Sequence, residues 1–530
     1  MRSAKYILSI GLLALTLCWS LRHVFCGFGN PMDPFYWLYK YTVLESGWLS
    51  MGTILAGGAV VRLFGAQLLP LRIVGWLFVT AAIALPYCCL LTKEQRRDNI
   101  HWLALTYGLM GFGAFQEFSP GTLTVFLLSA IWVCTAQSIN QKFEIINLKP
   151  AILTAVLAGI AVSVRFPNVL VLLILLPLWR KRSLWLVPIA ALAAAVVYGL
   201  GSLCVSPENM DPAMGSHSMG AMITKLWEDG ALLFGYILMG IGLLAIGKIP
   251  FKNQKSKILN QYGQIILGVL LGALLICYVT YVPAIHQWYN KDLLYMISAL
   301  CLVLALGNYK SKIKNQKLLI GALLLAVATL GTDTAWLKLF PAVLCLLPVA
   351  AVQYKQPMKQ YLFPALLGFT AAVMMRFTIN SIGDYNLGYC DVESVTRPFE
   401  HIHIRAVDEE RIARYKADKD SLSIVYHQSP ILAFGQDMHQ IREVTGCDAA
   451  RYNEFWSNIF DSVYTDKYRP VIEAEQPIVF CSFSPKFRKA KKSYKDKQSA
   501  LENMLREQGY REIDRSKYQY MIYIYDPEIQ

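Results

Sequence analysis

Residues 73–91 read IVGWLFVTAAIALPYCCLL, nineteen consecutive positions without a charge. A helix needs about 20 such residues to cross a hydrocarbon core ~30 Å thick, so this run reads as a membrane span. Further runs, such as Ile265 to Val279 and Leu318 to Leu330, repeat the pattern between short basic clusters. With 55% hydrophobic and only 16% charged residues in 530 positions, the chain departs from soluble composition. These runs predict a mainly α fold, a polytopic transmembrane helix bundle. From Phe377 onward charges alternate, tyrosines are frequent and no run is long enough to span. We therefore expect two domains, 1–376 in the membrane and 377–530 as a soluble α/β domain.

Charge divides at the same place. Residues 1–376 hold 29 Lys+Arg and 12 Asp+Glu, a net +17, whereas 377–530 hold 21 and 24, a net −3. The overall basicity is thus the loop bias of a membrane protein, and no nucleic-acid partner is implied. Of the twelve cysteines, Cys88, Cys89, Cys134, Cys277, Cys301 and Cys345 lie in apolar segments, where cysteine acts as a small hydrophobe. Cys390, Cys447 and Cys481 fall in the soluble part, where one pair could form in an oxidising compartment without a defined connectivity.

Thirteen spans are expected: 6–22, 70–92, 100–116, 122–138, 150–164, 167–179, 183–203, 230–247, 262–281, 292–307, 317–331, 336–352 and 361–376. The first has a basic start but no small-x-small cleavage site after it, and reads as a retained helix rather than a cleaved signal. With the N-terminus inside, 20 of the 29 basic residues are cytoplasmic, and thirteen crossings carry the C-terminal domain outside. In a bacterium this is the inner membrane, with the domain in the periplasm. Acids gather on the outer face, including Asp33, Glu117 and Asp333. In the soluble domain, Ser421–Tyr426, Pro477–Phe483 and Tyr518–Tyr525 read as strands and Gln498–Glu507 as a helix ended by Gly509. Lys486–Lys497 reads as a solvated loop.

The first outer loop, 23–69, carries Asp33, an aromatic stretch suited to the headgroup region and an apolar Gly-rich juxtamembrane helix over 48–65. It closes with Leu63-Phe64-Gly65 and then Pro70-Leu71-Arg72. This order resembles the first loop of GT-C class membrane glycosyltransferases, the protein O-mannosyltransferase and aminoarabinose-transferase relatives. In that class an acid after the first helix precedes a juxtamembrane helix, an L-F-G turn and an Arg opening the second span. Glu117-Phe118-Ser119-Pro120, Val164-Arg165-Phe166-Pro167-Asn168 and Gly331-Thr332-Asp333-Thr334 match it more softly. The paired acids frequent in the class are replaced here by Asp33-Pro34.

The resemblance implies sugar transfer from a polyprenyl-phosphate donor to a glycan, lipid or protein acceptor at the extracytoplasmic face. Asp33 is then the general base and Glu117 a second acid. Transfer needs a carboxylate to take the acceptor proton and cations to hold the leaving phosphate. Arg62, Arg72, Arg165, Lys225 and Lys338 are candidate cations, with Asp333 near the substrate. Each has a plainer reading: Asp33 as a turn residue, Glu117 as a loop end, Arg165 as a snorkelling anchor. His401-x-His403 has no metal-ligand spacing, and the need for a divalent ion stays open. A transporter or flippase, or a non-enzymatic assembly factor for surface polysaccharide, are the alternatives. Ionisable residues at span ends rather than mid-span speak against a transporter.

Overall fold

The computed structural model describes residues 2–26, 33–44, 50–110, 117–139, 144–179, 183–207, 314–330, 339–353, 392–426, 431–435, 461–482, 492–515 and 520–529, with isolated positions between. Lys225, Asp333, Lys338, Cys390 and Cys447 lie outside the described residues, as does most of each expected span 230–247, 262–281, 292–307 and 361–376.

The apolar runs form helices: α1 Arg2–Phe25, α2 Asp33–Val43, α3 Met51–Phe64, α4 Leu68–Leu90, α5 Lys93–Asp98, α6 Ile100–Met110, α7 Pro120–Ser138, α8 Leu148–Val164, α9 Val169–Leu175, α10 Leu186–Cys204, α11 Lys314–Ala326 and α12 Leu339–Gln353. Among the described residues α4, α7 and α10 are long and apolar enough to cross a bilayer, and the others include shorter apolar helices. Leu192 and Leu203 of α10 point outward, as lipid-facing side chains do, whereas α7 is largely buried at the centre. Around α7 pack α4, α8 and α11.

Backbone polar groups in an apolar medium are satisfied within helices, so helix contacts depend on shape and a few side-chain bonds. Ser129 Oγ donates to the Ala82 carbonyl at 2.6 Å, joining α7 to α4. Trp132 Nε1 donates to the Lys317 carbonyl at 2.8 Å, joining α7 to α11. Gly159 brings α8 so close to α10 that a Cβ there would stand 2.1 Å from the Ala190 carbonyl oxygen.

The aromatic stretch after Asp33 is the helix α2, with Phe35, Leu38 and Tyr41 buried. The juxtamembrane helix appears as α3. Its Gly57 and Gly58 face Tyr41 and Leu44, and Thr53 Oγ1 donates to the Val164 carbonyl at 3.2 Å.

Residues 392–529 form an α/β unit. A short antiparallel pair, β1 Val392–Glu393 and β2 His403–Ile404, leads into α13 Ala406–Tyr426. A four-stranded sheet follows, from β3 Ile431–Gly435, β4 Ile478–Ser482, β5 Tyr510–Arg515 and β6 Tyr520–Tyr525, in the order β3-β4-β6-β5. The β3 and β4 pair is parallel, and β6 is antiparallel to both β4 and β5. Alternation along β4 sends Val479 and Cys481 towards α14 Asp461–Glu475 and α15 Lys492–Glu507. Ile478 and Phe480 lie on the other face, where the Tyr520 ring packs at a tilt 4.7 Å from Tyr415 of α13 and its hydroxyl donates to Asp418.

Two expectations are corrected here. Ser421–Tyr426 is the last part of α13 rather than a strand. Buried Asp408, Ile412, Tyr415, Asp418 and Leu422 recur at steps of three and four, a helical period that a six-residue window cannot show. Lys492–Lys497 is the first turn and a half of α15 rather than loop, while 483–491 lie outside the described residues. The strands at 478–482 and 520–525 and the stop at Gly509, whose φ is +78°, agree with the sequence reading.

Gly159→Ala should force α8 and α10 apart and cost about 1–3 kcal/mol, the usual range for overpacking. Gly199→Ala on α10, where a Cβ meets nothing within 4 Å, should leave the detergent-solution melting temperature unchanged or raise it slightly.

Candidate functional site

One end of the bundle meets the α/β unit. Cys26, following α1, bridges to His403 of β2. The Leu68 amide that opens α4 donates to the Pro398 carbonyl at 3.1 Å, and Gln67 Nε2 donates to the Glu400 carboxylate. Phe35 of α2 meets the Phe399 ring edge-on at 5.2 Å. The Lys93, Arg96 and Arg97 cluster follows the far end of α4, away from the α/β unit.

Beneath this contact lie charged side chains that the sequence would normally keep in water. Lys40 is fully buried, Arg72 is 4% exposed and Glu117 is 4% exposed. Burial of such groups is costly unless other charges or dipoles meet them, and in a membrane protein it marks sites more often than structure.

Their arrangement follows from one backbone contact. The amide between Glu117 and Phe118 donates to the carbonyl between Leu71 and Arg72 at 2.8 Å. Arg72 and Glu117 are therefore flanking residues of a single peptide-to-peptide hydrogen bond. Ser119 caps α7 with a capping box, fixing where the 117–119 turn ends.

Tyr41 completes the turn from the other side. Its hydroxyl donates to the Phe118 carbonyl at 3.1 Å, and its ring lies 6.0 Å from the Phe118 ring. Burial pushes the Tyr41 phenol well above its ordinary range, with the Glu117 and then the Tyr36 charge adding to the shift. It stays neutral and a donor at physiological pH. Lys40, next along α2, places its ammonium 5.2 Å over the Tyr36 ring.

Arg72 also faces the end of α1. Cys26 lies beside Arg22 and Arg72; burial raises its thiol, and the two guanidinium groups, with a hydrogen bond from Arg22, partly offset the rise.

The expected cations divide. Arg72 is buried and flanks the same peptide hydrogen bond as Glu117, whereas Arg62 is exposed in the last turn of α3. Arg165 donates to the Ala328 carbonyl at 3.1 Å and the Leu330 carbonyl at 2.5 Å, tying the end of α8 to the turn after α11. Asp33 opens α2, eight residues before Tyr41, or about 12 Å along the helix axis. Lys40, Tyr41 and Arg22 were missed by sequence reasoning. The one available signal was the spacing of Phe35, Leu38 and Tyr41, which marks a helix with a buried face.

Among the described residues no three His, Cys, Asp or Glu come together as a metal site. At the far end of the bundle a cavity of about 220 Å³ is lined by Gln95, Trp132, Gln137 and Lys317. There Lys317 Nζ donates to the Ala136 carbonyl, satisfying the C-terminal end of α7.

No protein-family model matches the chain, and no curated protein matches it. Among solved structures, it is similar to ArnT from Cupriavidus metallidurans in the apo state, with a TM-score of 0.44 at 12% identity over 99% of both chains. The same enzyme bound to undecaprenyl phosphate gives 0.45 at 12% identity, over 100% of this chain and 99% of that one. An oligosaccharyltransferase from Archaeoglobus fulgidus, in complex with zinc and sulfate, gives 0.39 at 12% identity, over 89% of this chain and 68% of that one.

Proposed function

We propose that the chain is a membrane glycosyltransferase that moves a sugar from a polyprenyl-phosphate donor to an acceptor at the extracytoplasmic face. The single observation that carries this reading is the burial of three charged side chains, Lys40, Arg72 and Glu117, in segments at the end of the bundle that meets the α/β unit. It lies among the loop motifs on which the sequence resembles GT-C enzymes. In this reading 1–376 is the membrane domain and 377–530 the extracytoplasmic one. Lys93, Arg96 and Arg97 at the opposite end suit the cytoplasmic side.

The chemistry divides between the two ends of α2. An acceptor hydroxyl attacks the anomeric carbon, the bond from that carbon to the phosphate oxygen breaks, and polyprenyl phosphate leaves with the bonding pair. Asp33 takes the hydroxyl proton. Arg72, with Lys40, meets the phosphate charge where water is scarce and charge-assisted hydrogen bonds are strong. Glu117, which flanks the same peptide hydrogen bond as Arg72, supports the acceptor or a second proton transfer, and neutral Tyr41 fixes the 117–119 turn. Arg62, Arg165, Lys225 and Asp333 remain candidates for the donor path. The apolar sides of the bundle accept the polyprenyl chain.

Asp33→Asn should lower kcat by about 100- to 10,000-fold, the usual contribution of a general base. Transfer of labelled sugar from a polyprenyl-phosphate donor by the purified protein measures this, and an unchanged kcat removes Asp33 from the chemistry. Arg72→Gln should lower kcat/KM for the donor by about 10- to 100-fold, since a hydrogen bond to a charged group contributes about 1.5–3 kcal/mol. Tyr41→Phe strips the Phe118 carbonyl of its donor and should cost about 1 kcal/mol in a thermal melt.

A further inference from the structure

The segment 394–404 of the α/β unit is tied together by its own hydrogen bonds. Ser394 Oγ and Thr396 Oγ1 both donate to the Glu409 carboxylate, at 2.6 and 2.8 Å. The Ser394 amide donates to the Ile402 carbonyl, the His401 amide to the Ser394 carbonyl, and the Phe399 amide to the Thr396 carbonyl. Arg405 grips Asp408 through two nitrogens at 2.7 and 3.0 Å, fixing the start of α13 directly after it. Phe399, Ile402 and Ile404 are fully buried. The loop thus presents one ring on a braced support.

That ring and its neighbours reach three separate pieces of the membrane part. Phe399 packs on Phe35, two residues after Asp33. Pro398 and Glu400 take the Leu68 amide and the Gln67 amide, one turn before Arg72. His403 bridges to Cys26, which stands beside Arg22 and Arg72. No two of these three pieces adjoin in sequence, and α2 is only three turns long. A helix that short has little stability of its own and takes its position from what packs on it.

We propose that the 394–404 loop is a permanent brace that sets α2 and the approach to α4 in register, with Phe399 as a positioning residue for the proposed transfer. The catalytic half of this statement rests on the transfer reaction proposed above; the mechanical half does not. A brace differs from a lid in that it has no open state in the catalytic cycle. Its loss therefore lowers turnover rather than changing donor capture, because small misplacements of reacting groups are costly in rate.

The test uses the full-length protein in nanodiscs, as wild type, Phe399→Ala, Phe399→Leu and Glu400→Ala. Two quantities are measured: kcat and KM for a polyprenyl-phosphate sugar, and amide hydrogen exchange in 35–43 against 120–138. Phe399→Ala should lower kcat at least tenfold with donor KM within threefold of wild type. Exchange in 35–43 should quicken at least tenfold while 120–138 is unchanged. Phe399→Leu, which keeps an apolar side chain at the tip, should return both to within threefold. Should Phe399→Ala not fold, Glu400→Ala at its partly exposed position carries the test, with kcat lowered about threefold and the same selective exchange. Unchanged exchange in 35–43 overturns the brace. A rise in KM at constant kcat, or faster exchange through the whole bundle, overturns the positioning role. Absence of transfer by the wild type would instead sink the glycosyltransferase reading, leaving the brace to be judged by exchange alone.

Discussion

The hydrogen bond from the Phe118 amide to the Leu71 carbonyl is the contact on which the site depends. It joins the turn before α7 to the first turn of α4, and in doing so makes neighbours of Glu117 and Arg72. Neither acid nor base would be stable alone at that depth, because a charge withdrawn from water must be met by others. The Tyr41 hydroxyl reads the same turn through the Phe118 carbonyl, so α2 is placed by the same contact. The α/β unit then closes the group from above through Phe399 and Pro398.

The membrane part is built to make that contact reproducible. The central helix α7 is pinned to α4 by Ser129 and to α11 by Trp132, while glycines at 159 and 321 let backbones and rings approach closely. Among the described residues of the bundle, the buried charges Lys40, Arg72 and Glu117 belong to the segments at one end, whereas at the far end Lys317 satisfies the Ala136 carbonyl near the C-terminus of α7.

Among the described residues, the apolar helices were legible in the sequence because run length alone identifies them. Residues 73–91 needed no partner to be read. Arg72 and Glu117 were also visible, as charges at the ends of such runs. Lys40 and Tyr41 were not, since an aromatic run with one lysine suits a headgroup layer equally well, and only packing against Phe118 and Phe399 distinguishes the two. Arg165 has a partner that no local reading could supply: its sequence context resembles a phosphate site, and in the fold it donates to the backbone carbonyls of Ala328 and Leu330, more than 160 residues away. Ser421–Tyr426 looked like a strand because β-branched residues end a helix whose buried positions start at Asp408, beyond a short window.

The most direct measurement is photocrosslinking of the purified protein with a polyprenyl phosphate bearing a diazirine near the phosphate, followed by mapping of the labelled peptides. The account predicts label in 33–44, 66–75 and 117–122, the segments that carry Lys40, Arg72 and Glu117. Label concentrated at 89–97 and 314–318, around the cavity beside Lys317, would contradict it.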